Sequence, residues 1–301
     1  MFYLERQKYE LAIESFTNAQ KIFLSYGKKL SYGLVLINLG ETYMKICEYE
    51  KSLKNLNEAV KLLEKLENNE EAAEALFLLA QVYYNVGFSL KVEEKILLLE
   101  KKLQKFNLPP KYSINLNFIK ILLSFLKGEE LNLEDISKVE VDYKSLGERN
   151  FMIDARFILI EALIGQEKYL QALEKLLDAE LIDLCSQNSI LEAKREYFLG
   201  LVSGSYASDR LLPPLVHFEK AYEIINNEHI SELIWKVLFS ISELYINRGN
   251  LNKAKRYVIY ARELIYFIAE RIESPRLRAA YLRHKERLTT LQKLESFYPT
   301  N

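Results

Sequence analysis

Ile37, Phe77, Phe118, Phe157, Tyr197 and Phe239 are large apolar or aromatic residues that return along a chain of 301 residues. Apart from Phe118, each stands two positions before a recurring aliphatic residue: Leu39, Leu79, Leu159, Leu199 and Ile241. Four positions after them come Glu41, Gln81, Glu161 and Glu243, with Leu122 and Leu201 interrupting. An aromatic ladder edged with acids suits an extended or helical peptide that offers apolar anchors and some Lys or Arg. The same rings packed between neighbouring helices would be core and nothing more, and both readings stand at this point. Reactive chemistry has less to build on. The sequence contains no G-x-G-x-x-G, no phosphate-binding G-x4-G-K-[ST], no H-E-x-x-H and no G-x-S-x-G. His217, His229 and His284 have no Cys or second His at ligand spacing, so they read as surface or helix-end residues. Neither a catalytic site, a metal nor a cofactor is expected. Cys47 and Cys185 lie far apart inside helical patterns and read as buried free thiols of a reducing compartment.

The elements that must position the ladder are helices in pairs. In Gly33 to Leu66, Leu36, Leu39, Gly40 and Tyr43 share one helical stripe. After a break around Cys47 and Glu48, Ser52, Leu56, Ala59 and Leu63 form a second stripe. The second-helix signature recurs as Ala12/Phe16, Ser52/Leu56, Val92/Ile96, Ala172/Leu176, Pro214/Phe218 and Ala254/Val258, at spacings of 40, 40, 80, 42 and 40 residues. The small position that follows is Ala19, Ala59, Leu99, Ala179, Ala221 and Ala261, which places Ala59 and Ala179 at helix crossings. Leu39-Gly40…Tyr43 returns independently as Leu79-Ala80…Tyr83, Leu159-Ile160…Leu163, Leu199-Gly200…Ser203 and Ile241-Ser242…Tyr245.

Leu36-x2-Leu39-Gly40-x2-Tyr43 followed by Ser52-x3-Leu56 and Ala59 resembles the tetratricopeptide repeat, stretched from about 34 residues to a period of 40. The resemblance implies an all-α, right-handed superhelical solenoid of antiparallel helix pairs, with repeats near 1–26, 33–66, 73–106, 112–146, 152–186, 190–228 and 232–272. A basic capping helix over 275–296 would close this single array, its Arg and Lys paired within the helix and solvated. The copy over 112–146 lacks the small residues and reads as a distorted repeat. The resemblance also implies that the first helices line a concave groove, into which the ladder Ile37, Glu41, Phe77, Gln81, Phe118, Phe157, Glu161, Tyr197, Phe239 and Glu243 points. Chaperone-tail binders of this family place a Lys and Asn clamp there. Ile37/Glu41 and Phe77/Gln81 stand in those places and disfavour that partner. A non-enzymatic scaffold for a protein or peptide follows. The alternative is a ligand- or peptide-sensing regulatory region of a larger bacterial signalling protein, such as an ATPase, kinase or transcriptional regulator.

Charge narrows the partners. The net charge is -1, yet Asn252 to Glu295 carries eleven Lys and Arg against five Glu, a local +6 that leaves -7 for the remainder. Such a polarised chain is not a nucleic-acid-binding composition, and no nucleic acid is expected as partner. The apolar runs near Ile114 to Leu126 and Phe157 to Ile164 contain Lys120 and Glu161 and fall short of the ~20 residues a membrane span needs. With charges by the fifth residue there is no signal-peptide core, so a cytoplasmic protein without membrane partners is expected. Registering the first repeat on Ala12-x3-Phe16 puts the Tyr of its first helix at Tyr3 and the Leu-Gly pair before Met1. The chain therefore reads as a piece of a longer protein with further domains.

Overall fold

A computed structural model describes residues 8–226 and 230–297. Tyr3, with the first-helix turns expected around it, and His229 lie outside these. Among the described residues there are sixteen α-helices and no strand. Helices α1 (Tyr9–Ser25), α2 (Lys29–Lys45), α3 (Tyr49–Lys65), α4 (Asn69–Val86), α5 (Ser89–Lys105) and α6 (Pro110–Lys127) form a run whose consecutive members pack on one another. So do α7 (Leu133–Ser145), α8 (Arg149–Gly165), α9 (Tyr169–Leu176), α10 (Ala179–Ser186), α11 (Ser189–Ser205), α12 (Pro214–Ile225) and α13 (Glu232–Asn247). The chain ends in α14 (Leu251–Glu270), α15 (Pro275–Arg283) and α16 (Lys285–Phe297). Neighbour-on-neighbour packing of this kind is a helical solenoid. Its contacts divide into two compact units, the residues up to Leu131 with Ile268–His284, and Asn132–Phe267 with the residues from Lys285 on.

The joints explain the period of 40. α1, α2 and α3 are each 17 residues long, and a three-residue turn follows each. In each turn the middle residue is left-handed, Gly27 (φ 64°), Cys47 (59°) and Glu67 (56°), and so is Gly87 (83°), the first residue of the two-residue turn after α4. An N–H then reaches back five residues to a carbonyl of the last turn, Lys28 to Phe23, Glu48 to Tyr43, Asn68 to Leu63 and Phe88 to Tyr83, all at 2.9 Å. Glu148 to Tyr143 and Lys168 to Leu163 repeat the device in the second unit, at 3.0 and 2.8 Å. Extra length over a repeat of about 34 residues therefore lies in nearly one added turn per helix, not in the loops.

Small residues sit where helices cross. A Cβ on Gly40 would lie 2.4 Å from Leu56 Cγ, and one on Gly200 2.5 Å from Phe218 Cε1. At the first crossing the Ser52 hydroxyl donates to the Gly40 carbonyl, at 2.6 Å. Ala59 is buried there as expected, whereas Ala179 is exposed. The expected second helix of that pair is broken: α9 stops at Leu176, and Asp178 caps a new helix by accepting from the Leu181 N–H at 3.1 Å. Buried Arg156 on α8 drives the break. Its guanidinium donates to Glu140 at 2.6 Å, Asp178 at 3.1 Å and Glu180 at 2.9 Å, and a charge in that position requires such partners.

The C-terminal segment differs from the expected single capping helix. Ser274 does cap α15, accepting from Leu277 N–H at 3.4 Å, but the chain turns extended at His284 (ψ 130°) and α16 is separate. In the first unit, α15 and the residues before it lie against the turns that follow α2 and α4. Tyr281 is fully buried 6.1 Å from the Tyr49 ring, and Arg276 lies 5.1 Å over Phe88. The Ser274 N–H donates to Glu50 Oε2 at 3.4 Å, and Arg271 pairs with Glu48. Arg271 and Arg276, of the basic segment read as pairing within itself and solvated, instead meet an acid and a ring far away in sequence.

Candidate functional site

The ladder separates into two kinds of residue. Ile37, Phe77, Phe118 and Phe157 are buried, with Phe77 and Phe157 sealed completely from solvent. Phe157 stacks on Phe198 at 5.7 Å between centroids. Tyr197 and Phe239 are half-buried, as are Glu41, Glu161 and Glu243, while Gln81 is buried. Half-burial combined with charge is the profile of a face that can read a ligand, and in the second unit these residues share one.

That face is built by α8, α11 and α13. α8 carries Glu161 and α11 carries Tyr197, which is hydrogen-bonded to Ser240 of α13. α13 adds Glu232, Lys236, Phe239 and Glu243, spaced by four, three and four residues and so lying on one stripe. α16 is seated on it. Lys236 Nζ meets Glu286 Oε1 at 2.8 Å, and Lys293 Nζ meets Glu243 Oε1 at 2.8 Å while lying 5.5 Å over the Phe239 ring. Arg287 reaches Glu232 at 3.4 Å, and the same carboxylate oxygen accepts from the Trp235 indole at 2.6 Å. Glu286 to Lys293 and Lys236 to Glu243 both span seven residues, two helical turns, so α16 runs parallel to α13 with matched charges at both ends. Arg287, Thr290, Leu291 and Leu294 form its buried stripe.

The electrostatics favour recognition. Burial works against the Lys236 ammonium, but Glu286 and Glu161 outweigh it and hold its pKa above the ordinary value. Glu161 is pushed up, first by burial and further by Glu286, with Lys236 pulling the other way. Burial raises the Tyr197 phenol. Lys236 thus stands as a cation between two carboxylates, one of them supplied by α16.

His217 has a structural task. Its Nδ1 lies 2.7 Å from Glu196 Oε2, and the Leu212 N–H donates to Nε2 at 3.2 Å, so the proton resides on Nδ1. Burial opposes the charge on Glu196, yet hydrogen bonds from His217 and from Lys220 at 2.6 Å hold its pKa down to about 2. The Cys185 thiol is pushed up to about 11 by burial, which makes it a poor nucleophile. No group of three or more His, Cys, Asp or Glu among the described residues could hold a metal ion. None of the described helices is long and apolar enough to cross a membrane.

Sequence reasoning missed Lys236, Ser240, Glu232, Glu286 and Lys293. The signal available for three of them was the shared seven-residue spacing of opposite charges, Lys236/Glu243 and Glu286/Lys293.

No protein-family model matches the chain. Over 148 residues, 48% of its length, the chain is 25% identical to the Tonsoku-like protein of Drosophila melanogaster, and the match spans 10% of that protein. Sequence ladders with a 40-residue period, realised as helices that each pack on the next, make the chain a helical repeat protein.

Proposed function

We propose that this chain is a tetratricopeptide-type scaffold that binds a protein partner through a helical segment and performs no chemistry of its own. The repeat type is supported by the Leu-Gly positions, where Gly40 and Gly200 admit Leu56 and Phe218 closer than any side chain would permit. The observation that carries the function is the face of α8, α11 and α13, which accepts a helix through Lys236–Glu286 and Glu243–Lys293. Displayed helical peptides selected on the full chain should converge on a carboxylate followed seven residues later by a cation. They should lose binding to Lys236→Glu and to Glu243→Lys. Selected peptides that bind both variants as well as the parent sink the reading. Occupation of the face by the chain's own helix favours, as a second reading, a sensing region that regulates a larger signalling protein.

A further inference from the structure

We infer that α16 is a removable occupant of the α8/α11/α13 face, standing in for a partner helix that brings a carboxylate to Lys236 and a cation to Glu243. This rests on the scaffold reading above and adds the partner's chemistry and its competitor. Three observations carry it. First, the attachment combines three ion pairs with a short apolar stripe: Glu286, Arg287 and Lys293 meet Lys236, Glu232 and Glu243, and buried Leu291 and Leu294 supply the apolar part. Lys293 is half open to water and Glu286 nearly so, which leaves the two outer pairs open to screening by salt, while Arg287 is buried against Glu232. Second, α16 has only 13 residues, a length at which a helix in water is marginal without its docking partner. Third, it has a joint of its own. The extended backbone at His284 separates it from α15, which is held independently by Tyr281 on Tyr49 and Arg276 on Phe88. Release of α16 therefore leaves α15 in place.

What release exposes defines the partner. Lys236 loses Glu286 and keeps Glu161, while Glu243 and Phe239 lose Lys293. Glu161, Glu232 and Glu243 all lie on the face, so a polyanion is repelled. A helix with one acid, a Leu-rich stripe and a Lys or Arg seven residues beyond the acid satisfies it, running parallel to α13 as α16 does.

Hydrogen exchange on the full chain tests the release. Amides of 285–297 should exchange at least tenfold faster than those of α13 and α15, and faster still in high salt. A synthetic peptide with the sequence of residues 285–297 should bind the full-length Glu286→Lys/Lys293→Glu variant at least tenfold more tightly than the parent, whose face is occupied. Adding Lys236→Glu to that variant should abolish the binding. If α16 is protected as strongly as α13 in the parent, or if the peptide binds parent and variant equally or neither, α16 is a fixed part of the unit and the inference is overturned. Displayed peptides that bind through Lys236 and Glu243 while α16 stays protected would overturn this inference and leave the scaffold reading intact.

Discussion

Replacing Gly40 by Ala sets two effects of opposite sign against each other. In mid-helix, Ala is favoured over Gly by about 0.8–1.0 kcal/mol. Against this, the new methyl would lie 2.4 Å from Leu56 Cγ and 2.6 Å from Cδ2. Leu56 is fully buried and its Cγ is a branch point close to its own backbone, so it has no free end to swing away. Overpacking costs about 1–3 kcal/mol, and contacts this short put Gly40→Ala in the upper half of that range, at about 2–3 kcal/mol, so it should lose roughly 1–2 kcal/mol net. Gly165, with nothing within 4 Å of an added Cβ, should show only the gain, about 0.5 kcal/mol near a helix end. Leu56→Ala alone should cost about 2–5 kcal/mol, and in that background Gly40→Ala should turn stabilising by about 1 kcal/mol. Urea melts followed by circular dichroism on the four members of the cycle give the coupling directly. A neutral or stabilising Gly40→Ala in the parent, or the same value in both backgrounds, would refute the crossing assigned to this pair.

Phe157→Ala should cost about 3–5 kcal/mol because the ring is sealed from solvent, whereas Phe239→Ala should cost under about 1 kcal/mol and speed amide exchange in 285–297. Equal losses in thermal melts would contradict the division of the ladder into core and face. Glu196, held near 2 against an ordinary 4.5, contributes stability that is present above about pH 4.5 and lost as pH falls from there toward 2, on the order of 3 kcal/mol. Glu196→Gln should flatten that part of the acid titration of stability, and an unchanged acid transition would show that the His217–Glu196–Lys220 contact is not its source.

Much of the solenoid was legible because its causes are local. Leu39-Gly40 and Ser52-x3-Leu56 announce a crossing in residue size alone, and the structure has Leu56 against Gly40. The length of each helix was less legible, since Cys47, Glu67 and Glu167 take left-handed turns that their residue types do not advertise. Ala179 failed as a crossing residue because Asp178 caps a new helix and answers Arg156, a partner 22 residues earlier. Phe77 and Phe157 share their repeat position with Phe239, and only the packing of neighbouring helices decides which ring is sealed. The site was least legible of all. Lys236 and Glu286 are 50 residues apart, and the seven-residue charge spacing that their helices share becomes meaningful only once the fold sets one helix on the other.

The contacts of residues 268–284 also set a timetable. Each solenoid helix needs only its neighbours, so most of the first unit can assemble as it leaves the ribosome. Its edge at Glu48, Tyr49, Glu50, Gly87 and Phe88 is completed by residues such as Ser274, made 224 positions after Glu50. At about 5–20 residues per second, synthesis between Leu131 and Ile268 takes on the order of ten seconds. For that interval the edge stays uncovered on a growing chain, open to any factor that attends nascent proteins, and helices α2 to α4 wait for contacts from residues made long after them.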